Sequence, residues 1–313
     1  MIEFDTFKSI FDLLEAFPDE QSCIAHLENI RWAGEPVSPF DSFSKVYKCK
    51  GIRYKCKNTG KYFNVKVGTI FEDTKIPLQK WFLALYVFSS HKKGISSHQL
   101  AKDIDVTQKS AWFMLHRLRY TFDHPNFKAT LANEIEIDET FIGGEEKNKH
   151  ANKKTKGTQG RSVKTKKPVL GMIEREGNII AKVVVDTKMN TIEPHILENI
   201  KEGSNIYTDE WKAYKGIKRL EGNFGHQIVN HSAKEFVNGL AHTNNVECFW
   251  SHLKRGIDGI YHWVSVKHLQ RYVNEYSLRY NTKKYSTSKR FNTLLENMEG
   301  RLQYKSLIEK SSI

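Results

Sequence analysis

Between residues 134 and 255 the chain passes through apolar patterns of two different periods, in an order that few folds accommodate. Residues 134–142 read Glu-Ile-Glu-Ile-Asp-Glu-Thr-Phe-Ile. In a strand, Ile135 and Ile137 fall on one face and Glu134, Glu136 and Asp138 on the other. A basic loop follows, then apolar runs at 168–175 and 179–187 joined by Glu-Arg-Glu-Gly-Asn, a hairpin turn signal. The β-branched run Ile-Ile-Ala-Lys-Val-Val-Val at 179–185 belongs in a buried strand. Helical spacing at 192–200, a short strand at 206–208 and a helix at 245–255 complete the series.

Hairpin, third element, then helix–strand–helix is the element order of a ribonuclease-H-like domain: α/β, a mixed sheet with flanking helices. That fold brings acids on its first strand, its fourth strand and a later helix together. Asp138, Asp209 and Glu247 stand at those places, 71 and then 38 positions apart (209 − 138 and 247 − 209). Each alone has an ordinary reading: a solvated strand end, a cap, an acid favoured by a helix N-terminus. Three oxygen donors gathered from distant segments suit a pair of hard divalent cations, which stabilise both oxygens of an in-line phosphoryl displacement. Lys254 lies two helical turns after Glu247, on the same face, where an ammonium can hold a phosphate.

The segment before this domain changes character three times. Residues 3–31 have helical spacing broken at Pro18, predicting a helical hairpin, and residues 33–71 are glycine-punctuated short strands, a small β module. The apolar stretch 78–90 predicts a helix ending in a basic last turn, His-Lys-Lys, before Gly94. Ser-capped and Thr-capped helices around Asp105 and Val106 then predict a helix-turn-helix, or an ordinary helical hairpin. In the first case Gln108, Lys109, His116, Arg117 and Arg119 are its exposed DNA-facing candidates. The expected organisation is 1–74 (helical hairpin and β module), 75–125 (helix-turn-helix), 130–285 (catalytic domain) and 286–313 (C-terminal tail). A last helix over 262–281, including Trp263 and Val266, is expected to serve core and dimer packing.

Charge points to the partner. The chain holds 49 Lys and Arg against 36 Asp and Glu, a surplus of +13 that favours a polyanion. Nine of those cations lie in 147–167, which contains no acid; Lys153 and Lys154 are candidate phosphate contacts there, as is Arg255 on the last helix of the acidic site. No run approaches the length of a membrane helix, and the first residues lack a signal-peptide pattern, so a cytoplasmic protein with reduced thiols is expected.

The chain resembles bacterial insertion-sequence transposases of the DDE class, the ISXO2-like group with an N-terminal zinc ribbon and helix-turn-helix. The resemblance is carried by Val-Gly-Thr-Ile-Phe at 67–71, Ile-Asp-Glu-Thr-Phe-Ile-Gly-Gly at 137–144, Tyr-Thr-Asp-Glu at 207–210, His-Thr-Asn-Asn-Val-Glu-Cys-Phe-Trp at 242–250 and Arg-Tyr-Asn at 279–281. It implies Mg²⁺ or Mn²⁺ as a two-ion cofactor and double-stranded DNA, as terminal inverted repeats and target, for partner. It also implies a homodimer or larger assembly on DNA at the nucleoid, and cutting and joining of an element's ends. Asp138, Asp209 and Glu247 take the family's acidic roles, with Lys254 beside them and Asn244 as the alternative third ligand. The ribbon departs from the pattern: Ser38 and Asp41 replace one cysteine pair, and only Cys56 survives of the other, so zinc is not expected. That erosion keeps a second reading open, a catalytically silent DNA-binding protein or regulator derived from a transposase.

Overall fold

The computed structural model describes residues 7–309, apart from 128, 145–148, 157, 159–161 and 230–241. It forms two compact units, residues 1–125 with 284–313, and residues 126–283.

The first unit begins with α1 (Ile10–Ala16) and α2 (Glu20–Trp32), started by capping boxes at Ser9 and Asp19. An antiparallel sheet of β1 (Val46–Lys48), β2 (Tyr54–Cys56) and β3 (Tyr62–Phe63) follows. Then come α3 (Leu78–Ser90), α4 (Ser97–Asp103) and α5 (Gln108–Tyr120), the last two capped by Ser96 and Thr107. Asp105 turns the chain between them at φ +50°, which an aspartate tolerates better than most residues. α3 closes at Ser90, so His91, Lys92 and Lys93 form the turn beyond it and not its last turn.

Two expectations change here. Residues 286–313, expected as a tail, carry α9 (Thr287–Glu296) and α10 (Tyr304–Ile308). Phe291 of α9 is fully buried against Phe7, Phe17 and Phe82, with ring centroids 5.1, 6.2 and 5.5 Å away. The second concerns α5: His116, Arg117 and Arg119 are buried. Arg117 donates to the carbonyls of Ile70 (2.7 Å), Glu72 (2.8 Å) and Leu302 (3.2 Å), and its guanidinium lies 4.5 Å from the Phe113 ring centroid. It is therefore an internal strut and not a DNA-facing side chain, because three converging backbone acceptors satisfy its charge in place of water.

The second unit is built on a five-stranded sheet ordered β6-β5-β4-β7-β8. β4 (Glu134–Ile142), β5 (Lys167–Glu174) and β6 (Ile179–Val183) are antiparallel; β7 (Asn205–Thr208) and β8 (Gly225–Ile228) run parallel to β4. α6 (Met189–Asn199) covers one face through Ile192 and Ile196, over Ile135, Ile137, Leu170 and Ile206. α7 (Asn244–Gly256) and α8 (Leu269–Asn281) cover the other, where Val246, Phe249, Leu253 and Val273 meet Val169, Ile173 and Ile179. A central strand flanked by an antiparallel hairpin on one side and parallel strands on the other, with helices on both faces, is the ribonuclease-H-like arrangement.

Boundaries differ from the sequence reading in three places. β6 ends at Val183 rather than residue 187. β8 was not anticipated, since Gly-His-Gln-Ile is short and polar and lies at the sheet edge. α8 starts only at Leu269; Trp263 and Val266 precede it and are 72% and 59% exposed, so they are not core.

Candidate active site

The face of β4 opposite Ile135 and Ile137 is covered by α7, and this decides the fate of its acids. Glu136 is fully buried. Its carboxylate accepts from Asn245 N (2.9 Å), Asn245 Nδ2 (2.8 Å), Val246 N (3.3 Å) and Arg175 Nε (3.0 Å), with His242 Nδ1 at 3.1 Å. An anion at the first turn of α7 satisfies amides that the helix itself leaves unpaired and favours the positive end of its dipole. Glu136 thus docks the start of α7 onto β4 and fixes where the first turn of α7, with Glu247, sits. The alternation of β4 puts Glu136 on the face it shares with Asp138.

Asp138 lies two residues further along β4. Trp250 Nε1 donates to its Oδ2 at 3.0 Å. Burial pushes the Asp138 carboxyl up to about 6, and the nearby charges of Asp209 and Glu247 push the same way, while the Glu139 amide and the Trp250 indole pull it back. Asp209 follows β7, the parallel neighbour of β4, and its Oδ1 accepts from Trp211 N at 2.9 Å. The Thr208 hydroxyl donates to Asp209 O (2.9 Å) and lies 2.9 Å from His226 Nε2 on β8. With the hydroxyl proton so committed, Nε2 carries the imidazole proton, and burial holds this ring down to about 4. Glu247 occupies the first turn of α7 and accepts from the Thr243 hydroxyl at 3.1 Å.

The structure brings these residues to one cleft of about 770 Å³, lined by Asp138, Asp209, Glu247 and Lys254 together with Glu139, Glu210, Trp211, Lys212, Thr243 and Trp250. Five carboxylates against two lysines give it a strongly negative field. Asn244, the alternative ligand, is exposed and does not line the cleft; Arg255 is also outside it, its Nε on Ser251 O at 3.0 Å. Among the described residues no group of three His, Cys, Asp or Glu side chains is arranged to hold a metal ion as it stands. The donor chemistry nonetheless fits hard divalent ions: three carboxylates of distinct origin face one cleft, and one of them, Asp138, is raised by burial and further by the charges of the other two.

The remaining candidates lie elsewhere. Lys153 and Lys154 are exposed at a short turn, Ala151–Lys153. Gln108 and Lys109 are exposed at the start of α5; Gln108 donates to Ser97 Oγ at 2.8 Å, and Lys109 Nζ lies 4.8 Å from the Tyr304 ring centroid. Sequence reading missed Trp250 and Glu136. Trp250 had a legible signal, its i+3 spacing from Glu247; Glu136 had none beyond its place in an alternating strand.

Residues 130–281, which hold all three acids and Lys254, match the model of the ISXO2-like transposase domain. A transposase-like protein of Haemophilus influenzae is 30% identical over 99 residues, covering 32% of this chain and 77% of that protein. The chain belongs to the ISXO2-like transposase family. A protein in transposable element ISH50 of Halobacterium salinarum is 28% identical over 280 residues, 85% of this chain and 92% of the relative. Among solved structures, a pre-cleavage Mos1 transpososome aligns over 94% of this chain and 97% of its own, at 10% identity and a TM-score of 0.31. A Mos1 paired-end complex with the left transposon end aligns over 71% of this chain and 80% of its own, at 9% identity and a TM-score of 0.29. Scores that low carry no argument about this transposase, whose fold rests on its own sheet order. Among the described residues no helix is long and apolar enough to cross a membrane.

Proposed function

We propose that this transposase cuts and joins the DNA ends of an insertion sequence, using two divalent ions, Mg²⁺ or Mn²⁺, held by Asp138, Asp209 and Glu247. The observation that carries the reading is the cleft itself: five carboxylates repel a DNA phosphate unless cations stand between them. When bound, such ions supply Lewis acidity, activating water or a 3′-hydroxyl and steadying the leaving 3′-oxygen. The chain's own part is to present carboxylate oxygens from β4, the end of β7 and α7, and to hold the scissile phosphate with Lys254. Glu136 and the Thr208–His226 pair keep those elements in place.

Duplex DNA is the substrate, found by α4 and α5 through Gln108 and Lys109 and gripped further by Lys153, Lys154 and Arg255. Joining two ends requires at least a dimer on DNA, working at the nucleoid. The β module works without zinc. Asp138→Asn is expected to lower cleavage at least about a thousandfold, several kcal/mol of lost transition-state stabilisation, while binding of terminal-repeat DNA is retained. A variant that still cuts removes Asp138 from the site. Wild-type protein that binds ends and never cuts favours the regulator reading, which the eroded cysteine pairs support.

A further inference from the structure

We propose that Trp250 is a positioning residue of the acidic site, admitted to it by the missing side chain at Gly171. This rests on the reading of Asp138 as a metal ligand. In the β4–β5 register Asp138 pairs directly with Gly171. A Cβ built at Gly171 would stand 2.5 and 2.6 Å from Cζ2 and Cη2 of the Trp250 indole, closer than any real contact. The strand therefore lacks a side chain at the one point where the ring crosses it, and the flanking residues 169, 170, 172 and 173 are all apolar and buried. The indole is only 4% exposed, and its N–H reaches across to Asp138 Oδ2 at 3.0 Å.

The arrangement does two things. It fixes the rotation of the Asp138 carboxylate, leaving the other oxygen's orientation determined by the first. It also ties β4 to α7 one helical turn beyond Glu247, so the two ligands are held in a common register. Partners that orient ligating side chains in this way typically contribute 10–100-fold to metal affinity. Phenylalanine at 250 keeps most of the ring packing and removes the donor.

The test is Mn²⁺ binding to the full chain without DNA, followed by the paramagnetic resonance of free Mn²⁺, in wild type, Trp250→Phe, Gly171→Ala, the double variant and Asp138→Asn. Trp250→Phe is expected to weaken Mn²⁺ binding about tenfold. Gly171→Ala should weaken it similarly alone and add less than that in the Trp250→Phe background, where its 3.1 Å approach to Val246 Cγ2 is the close contact that remains. The indole N–H resonance absent from Trp250→Phe should move when Mg²⁺ is added to wild type. Trp250→Phe affinity within about twofold of wild type, with Asp138→Asn non-binding, overturns the positioning role and leaves the site intact. Asp138→Asn binding Mn²⁺ as wild type does overturns the site assignment, and the positioning role with it.

Discussion

Asp138 and His226 respond to pH in opposite senses in the metal-free second unit. Asp138, raised by burial and by Asp209 and Glu247 to about 6, gives stability that is full below its unfolded value of 3.8 and lost as pH rises through 6. His226, lowered by burial and by Lys218 from 6.5 to about 4, gives stability present above 6.5 and lost as pH falls through 4. Each contribution is on the order of 2–3 kcal/mol, so between pH 4 and 6 they oppose one another. Across that window the Asp138→Asn variant, which keeps His226 but loses the opposing carboxyl, should lose more stability on acidification than metal-free wild type in denaturant unfolding. A flat profile in the variant contradicts the assignment. At this scale the sequence names Asp138, Asp209 and Glu247, which the fold brings to one cleft, although Asp138 lies in the middle of β4 and not at its end. It did not show Glu136, Trp250 or Gly171, whose roles exist only once α7 lies across β4 and β5.

Elements were more legible than their surroundings. Caps at Ser96 and Thr107 marked α4 and α5, yet helical period alone does not tell which cations of an amphipathic helix are internal. Arg117→Ala should destabilise the protein by about 2–3 kcal/mol, seen as a lowered Tm, by leaving two buried carbonyls and one half-buried carbonyl short of a charged donor. Lys109→Ala should leave Tm unchanged and weaken DNA binding, lowering the salt slope by about one phosphate. The reverse pattern would return Arg117 to the DNA surface. In the β module, burial pushes the Cys56 thiol up, but hydrogen bonds from Ser38, Ser44 and Thr59 outweigh it and bring it to about 6. Asp41 accepts from Asn58 Nδ2 at 2.8 Å, so a side chain at one eroded position bonds to the turn just after Cys56. Elemental analysis of protein purified without chelator should find less than stoichiometric zinc; one zinc per chain, lost in Cys56→Ser, contradicts the zinc-free module.

For the molecule as a whole, the ribonuclease-H-like order was readable because strand and helix periods alternate cleanly from 134 to 255. The return of α9 into the first unit was not, since the aromatic partners of Phe291 are more than 200 residues away in sequence and no local pattern announces them. Cleavage of labelled DNA carrying the flanking element's end, by wild type and Asp209→Ala, tests the proposed transposase chemistry most directly. The account predicts nicking at the element boundary that requires Mg²⁺ or Mn²⁺ and disappears in Asp209→Ala. Cutting that persists without divalent metal, or in the variant, contradicts it.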